Sequence, residues 1–305
     1  MRDATLAGWT RMTRASLFAF ALGVVLAVVD HSPAETRAQV ASPGLARAAG
    51  APPWQKGEQD GTIATRFTPP LGYERPAASP ASFAAWLRAL PVRPGRPDVL
   101  LYDGRRKANQ RAHVAVLAVE VGATDLQQCA DAVMRLRAEY LRDSGRADEV
   151  CFHFTSGDAA PYREWRQGFR PHVGQRVTWA KDAGPDPSYT SFRSYLDTVF
   201  TYAGTASLIR ELTKMAKNDI AVGDVLIQGG HPGHAVLVVD LAENTRGERV
   251  VLFAQSYMPA QDIQVLAASD AALSPWYRVA GERVETPEWL FSWGDLRRFA
   301  ADACR

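Results

Sequence analysis

Two short segments carry the residue types that can do chemistry. One is GDVLIQGGHPGHAVLVVD, Gly223 to Asp240, in which a Gly-rich turn holds His231 and Pro232 and His234 opens an apolar strand that ends in Asp240. An imidazole at a strand edge behind glycines is reachable by a substrate and can still be oriented by a group on the next strand. The other is DLQQC, Asp125 to Cys129, at the start of a helical pattern. A thiol in the first turn of a helix lies near unpaired amides and the positive end of the dipole, which favour thiolate. The chain has three cysteines, Cys129, Cys151 and Cys304. An odd number leaves at least one thiol unpaired in an oxidising compartment. Both candidates also have plainer readings: Cys129 as a small apolar residue facing the core, and His234 as a hydrogen-bonded strand-edge imidazole.

The elements that must position these groups read as follows. Ser79-Pro80 before Phe83, Trp86, Leu87 and Leu90 predicts a short helix that Pro91 ends. Ala112 to Val121 predicts a buried strand, and Leu126 to Leu141 a long helix with Val133, Leu136, Tyr140 and Leu141 on one face. Val150 to Thr155 alternates as a second strand, so this stretch reads as strand, helix, strand, an α/β unit. Periodicity fails from Ser156 to Pro187, an irregular excursion whose Tyr162, Trp165, Arg166, Phe169, Arg170 and Trp179 either form a stacking platform or pin the loop to the body. Two helices, about Tyr189 to Tyr202 and Ala206 to Lys217, precede three strands at Val225 to Gln228, His234 to Leu241 and Val250 to Ser256. Short turns between those strands suggest antiparallel pairing. Trp276, Trp289, Trp293 and an amphipathic Leu296 to Phe299 tail close the core. The fold class expected is α+β, a single domain with a mostly antiparallel sheet packed against helices.

Several chemistries find no support. His231 and His234 are close in sequence, but there is no Cys-x-x-Cys, no His-Glu-x-x-His and no carboxylate cluster, so no metal site and no cofactor is expected. Gly-x-Gly-x-x-Gly after a strand and a phosphate loop are both lacking. A formal charge of +2 gives no general attraction for nucleic acid or anionic lipid.

The His234 segment resembles the His strand of papain-like cell-wall hydrolases, the NlpC-type peptidases and the CHAP amidases, over about 20 residues. The resemblance implies a papain-like core with insertions. It implies Cys129 as nucleophile, His234 as general base and Gln255 on the following strand as the group that orients the ring, with Asp240 a weaker alternative orienter. Gln128 matches the Gln-Cys pair of the CHAP amidases and would contribute to an oxyanion site. If the helix near Thr205 and Ser207 is instead the equivalent of the nucleophile helix, the site has lost its Cys and the protein is a binding relative or uses Ser207. More extensively, DLQQCADAVMRLRAEYL, FTSG, YAGTASL, AQSYMPAQDI, LSPWY and TPEW, in that order across about Thr62 to Phe299, resemble a bacterial family catalogued as domain of unknown function 4846. That likeness implies one domain behind an export signal and supplies no activity.

Arg2, Arg11 and Arg14, then an apolar stretch from Ala15 to Val29, then Asp30 and small residues at Ser32-Pro33-Ala34, have the order of a secretory signal. The stretch is about 15 residues long, short of the roughly 20 of a permanent span. Residues 1–34 therefore read as a signal peptide, 35–61 as a flexible linker and 62–302 as the globular domain. An exported protein, periplasmic or extracellular and without a stable membrane span after cleavage, meets peptide or glycan of the cell envelope. Two functions remain open. One is a thiol peptidase or amidase; the other is a non-catalytic envelope-binding domain that uses the 162–179 loop and a pocket around AQSYMPAQ, with Gln128, His231, Asp240, Ser256 and Tyr257 as binding residues.

Overall fold

A computed structural model describes residues 51–300 and 304. The expected signal peptide and the first part of the linker lie outside the described residues. Trp54 is fully buried, and Gln55 pairs with Val119, so the end of the expected linker belongs to the packed body. The body is α+β.

Along the chain, α1 (Ile63–Arg66), β1 (Tyr73–Glu74), α2 (Phe83–Arg88) and β2 (His113–Val116) lead to α3 (Cys129–Asp143). The hairpin β3 (Cys151–His153) and β4 (Ala159–Pro161) follows, then α4 (Tyr162–Arg166) and a second hairpin, β5 (Phe169–Val173) with β6 (Val177–Lys181). Next are α5 (Tyr189–Tyr202), α6 (Thr205–Glu211), β7 (Leu212–Lys214), β8 (Val225–Gln228), β9 (His234–Asn244) and β10 (Arg249–Gln255). The chain closes with β11 (Gln264–Leu266), β12 (Tyr277–Arg278), β13 (Arg283–Glu285), β14 (Leu290–Ser292) and β15 (Leu296–Phe299). The main sheet runs β2-β11-β10-β9-β8-β15-β7, with β1 pairing β9 and β12 pairing β10, every pair antiparallel.

Alternation along β9 divides the core. Ala235, Leu237 and Val239 face a layer built from α2, α3 and α5, whereas Val236 and Val238 face Phe291, Trp293, Tyr277 and Leu296. Helix α3 forms because it is free of Gly and Pro, rich in Ala and Leu, and closed at both ends. The Asp131 carboxylate accepts the Gln128 amide at its start. At its end Gly145, at φ 71°, lets Gly145 N–H reach Arg142 O and Arg146 N–H reach Leu141 O. It is buried nearly all round. Its interior ion pair, Arg135 to Glu139 at 2.7 Å, is completed by Gln127, Tyr189 and Glu120.

Several local expectations change. The α/β unit does not form: β3 pairs with β4 in a separate hairpin, and β2 lies beside β11. A period of two marks a strand but not its partner. The 156–187 stretch is ordered into β4, α4 and the β5–β6 hairpin, and Tyr162 and Trp165 are core residues packed tilted and edge-on against Tyr195. Those two rings therefore pin the segment and cannot be a stacking platform. Gly168 makes its tight return possible, at φ 101° with the Ala183 carbonyl where a Cβ would stand. Helix α2 starts after Ser82, whose Oγ accepts the Ala85 amide, rather than at Pro80. Helix α6 stops at Glu211 because the next residues pair as β7 with β15, and the expected C-terminal tail is that inserted strand. Cys151 and Cys304 form a disulfide, leaving Cys129 as the free thiol.

Candidate functional site

Cys129 is the first residue of α3, as its sequence position anticipated, with Gln128 as the cap residue. The amides of Ala130, Ala235 and Cys129 itself act on its thiol, each favouring thiolate. Ala235 reaches it because the β9–β10 ladder ends at Ala254 opposite Leu237, so the Ala235 amide lies beyond the last paired residues. The sulfur thus sits where the two strands part, beside the residue that follows His234. Nearby Tyr257 also feels its charge.

His234 opens β9 opposite Gln228 and is almost completely buried. By alternation its ring projects with Val236 and Val238, away from α3, and packs against Phe291, Trp289 and Tyr257 at centroid distances of 5.9, 5.2 and 4.9 Å. Thiol and imidazole therefore approach the end of the sheet from different sides. The ring Nε2 lies 2.8 Å from Gln255 Oε1, and Gln255 Nε2 donates to Glu288 Oε2 at 2.8 Å. Lys107 Nζ donates to the same carboxylate oxygen at 2.5 Å, and Asn109 Nδ2 to Oε1 at 3.3 Å. With a carboxylate at its far end, the Gln255 amide must turn its nitrogen to Glu288 and its oxygen to His234. Nε2 then carries the ring proton, and Nδ1 is left as the basic nitrogen.

The other expected residues separate. The Gln128 side chain donates to Asp125 Oδ1 at 3.1 Å, and Asp125 also receives the Ala260 amide, so Gln128 is tied to the loop that follows β10. Ser256 is fully buried and its single hydroxyl proton is shared between Gln127 O and Gln261 O, 3.0 and 2.9 Å from Oγ, a tie between the start of α3 and the same loop. Tyr257 covers the imidazole. His231 is exposed on the Gly-rich turn. Asp240 does not belong to the site. It is six residues along β9 from His234, about 20 Å at the rise of a strand, and its oxygens accept from Arg88 Nε and Arg75 Nε at 2.7 Å each. Ser207 is occupied in capping α6, exchanging hydrogen bonds with the Gly204 backbone.

Glu288, Lys107, Asn109 and Trp289 are site residues that spacing did not single out. Glu288 and Trp289 belong to TPEW, where Thr286 Oγ1 donates to Trp289 O at 2.7 Å and closes a turn that points Glu288 inward.

Burial reverses the expected ionisation. Desolvation, with a smaller contribution from Asp131, pushes the Cys129 thiol up to about 11 despite the three amides. Desolvation also holds His234 down to about 4, more than Gln255 and Glu288 restore. At neutral pH the resting pair is thus a thiol and a neutral imidazole, so activation must come from proton transfer during attack rather than from a stored thiolate. An open groove of about 500 Å³ lies elsewhere, lined by residues including Tyr73, Lys217, Arg249 and Arg278. Among the described residues no group of three His, Cys, Asp or Glu side chains could hold a metal ion, and no helix is long and apolar enough to cross a membrane.

Fold and site together define an α+β protein with a free buried thiol at a helix start and an oriented imidazole at a strand start. The chain belongs to the family described as Domain of unknown function (4846), which it matches over residues 63–298. No curated protein and no solved structure matches it.

Proposed function

We propose that this is an exported thiol hydrolase of papain-like design, acting on peptide or amide bonds of cell-envelope material. The observation that carries the reading is the orientation of His234: Gln255 Oε1 accepts the hydrogen bond from Nε2–H and leaves Nδ1 basic, one residue from the amide that acts on the Cys129 sulfur. In this reading the Cys129 proton passes to Nδ1 through a water molecule around the end of the sheet as sulfur attacks the carbonyl carbon. The first-turn amides of α3, which lack partners within the helix, face the developing oxyanion. The imidazolium then protonates the leaving amine as the carbon–nitrogen bond breaks, and water, activated by the same nitrogen, hydrolyses the thioester.

Labelling of Cys129 by iodoacetamide tests the pairing. Near pH 7 the wild-type thiol should react about tenfold faster than in His234→Ala, a typical lower bound for general-base assistance being roughly 10²-fold in a full reaction. Equal rates in the two proteins would sink the reading. Release of amines from peptide substrates should stop in Cys129→Ala. A second reading, a non-catalytic envelope-binding domain, draws on the groove near Arg249 and Arg278; there, Cys129→Ala would leave binding of envelope fragments unchanged and Arg278→Ala would weaken it.

A further inference from the structure

We propose that Glu288, anchored by Lys107, is a positioning residue that fixes the amide of Gln255 and through it the tautomer of His234. The assignment concerns the imidazole itself and stands whether or not Cys129 reacts, so it goes beyond the hydrolase reading.

Three features carry it. The Lys107 and Glu288 side chains are 6% and 11% exposed, a desolvated ion pair in a place where apolar residues would stabilise the body equally well. A single oxygen, Glu288 Oε2, serves both Lys107 Nζ and Gln255 Nε2. Gln255 is itself buried, with one end of its amide on the carboxylate and the other on the imidazole. Its two orientations are therefore unequal. Turned as found, every contact joins a donor to an acceptor. Turned by half a rotation, the amide oxygen would face the carboxylate oxygen and the amide N–H₂ would face His234 Nε2.

The second orientation would also change what the ring can do. Nε2 would have to accept, the ring proton would move to Nδ1, and the nitrogen left as a base would be buried against Gln255. The ion pair thus selects which imidazole nitrogen is basic, at one remove and without touching the ring. The device is assembled from distant parts of the chain: Glu288 on the TPEW turn, Lys107 in the loop before β2, and Gln255 at the end of β10. The Thr286 hydroxyl and the one Thr286–Trp289 backbone bond keep the turn, and so the carboxylate, in place.

Nitrogen-15 NMR of the full chain with labelled histidine reads the tautomer directly, the His234 signals being assigned by their loss in His234→Gln. The wild-type ring at pH 7 should carry its proton on Nε2. In Lys107→Met/Glu288→Leu, which removes both charges and leaves neither unpaired, a substantial Nδ1–H population should appear. Glu288→Gln retains an oxygen for Lys107 and Gln255, and should keep the Nε2–H form. An Nδ1–H wild-type ring, or a folded double variant that keeps only Nε2–H, would overturn the proposal. The wild-type spectrum alone can do so if the double variant does not fold. Iodoacetamide labelling of the same variants separates this idea from the enzymatic one. A tautomer that moves while Cys129 labelling stays constant upholds the lock and removes the hydrolase.

Discussion

Strand β9 carries one buried polar side chain at its start and another six residues along, and the two are satisfied in different ways. In mid-strand Asp240 is saturated: Oδ1 accepts from Arg88 Nε and the Leu241 amide, and Oδ2 from Arg75 Nε. Those guanidinium groups go on to bind Leu241 O, Pro76 O and Phe67 O, so charge and geometry are both spent on holding β9 to the segments around α2. At the near end His234 has a neutral partner, Gln255, and the charges stand one step further away on Glu288 and Lys107. A saturated carboxylate is a fastening. An imidazole fixed through one nitrogen keeps the other for chemistry, and this distinguishes a site from a strut.

Breaking the strut should have the larger effect on stability. Asp240→Ala leaves two guanidinium groups, little exposed, without their shared carboxylate and should cost about 3–5 kcal/mol in a denaturant titration, with no change in the His234 tautomer. A smaller loss would mean that solvent reaches Arg75 and Arg88 more easily than their positions imply.

The imidazole end should show itself through pH. Held near 4 in the folded chain against about 6.5 when unfolded, His234 binds a proton first in the unfolded state. Stability is therefore full above about pH 6.5 and is lost as pH falls toward 4, by about 3 kcal/mol from this group. Asp131 and Glu211, both pushed up to about 8 by burial, act in the opposite sense, their contribution falling as pH rises from about 4 to about 8. The difference between wild type and His234→Gln isolates the histidine; parallel pH profiles would contradict the burial assigned to it.

Two smaller substitutions sharpen the comparison near the site. Gly233→Ala puts a Cβ 2.6 Å from Gly230 O and 2.8 Å from Gln228 O, backbone atoms that cannot yield easily. About 1–3 kcal/mol should be lost, together with slower labelling of Cys129 if the turn sets the position of His234. Ser256→Ala removes the tie between Gln127 O and Gln261 O and should cost about 1 kcal/mol. A neutral outcome there would show that the start of α3 is held by Asp125 and Asp131 alone.

Much of the scaffold was legible. The 3.6-residue periods of α3 and α5, and the runs Val225 to Gln228 and Val250 to Ser256, lie close to the observed elements because hydrophobic period and end signals are local. His234 at a strand mouth, Cys129 in a first turn and Gln255 on the next strand were readable for the same reason. What misled was partner choice. Val150 to Thr155 alternates as a strand should, yet nothing in that alternation says that β3 pairs with β4 instead of joining β2. Asp240 also reads as a plausible orienter until the register of β9 sets it six residues from His234, opposite Leu252.

By itself, then, the sequence determined the class of the fold, the places where helix and strand begin, and the odd thiol count that leaves one cysteine over. The tertiary structure decided which cysteine that is, pairing Cys151 with Cys304 across 153 residues. It also brought Lys107 and Glu288, 181 residues apart, behind Gln255. And it set the protonation of the thiol and the imidazole, because the helix-start amides are local while the desolvation that outweighs them comes from every element packed around the end of the sheet.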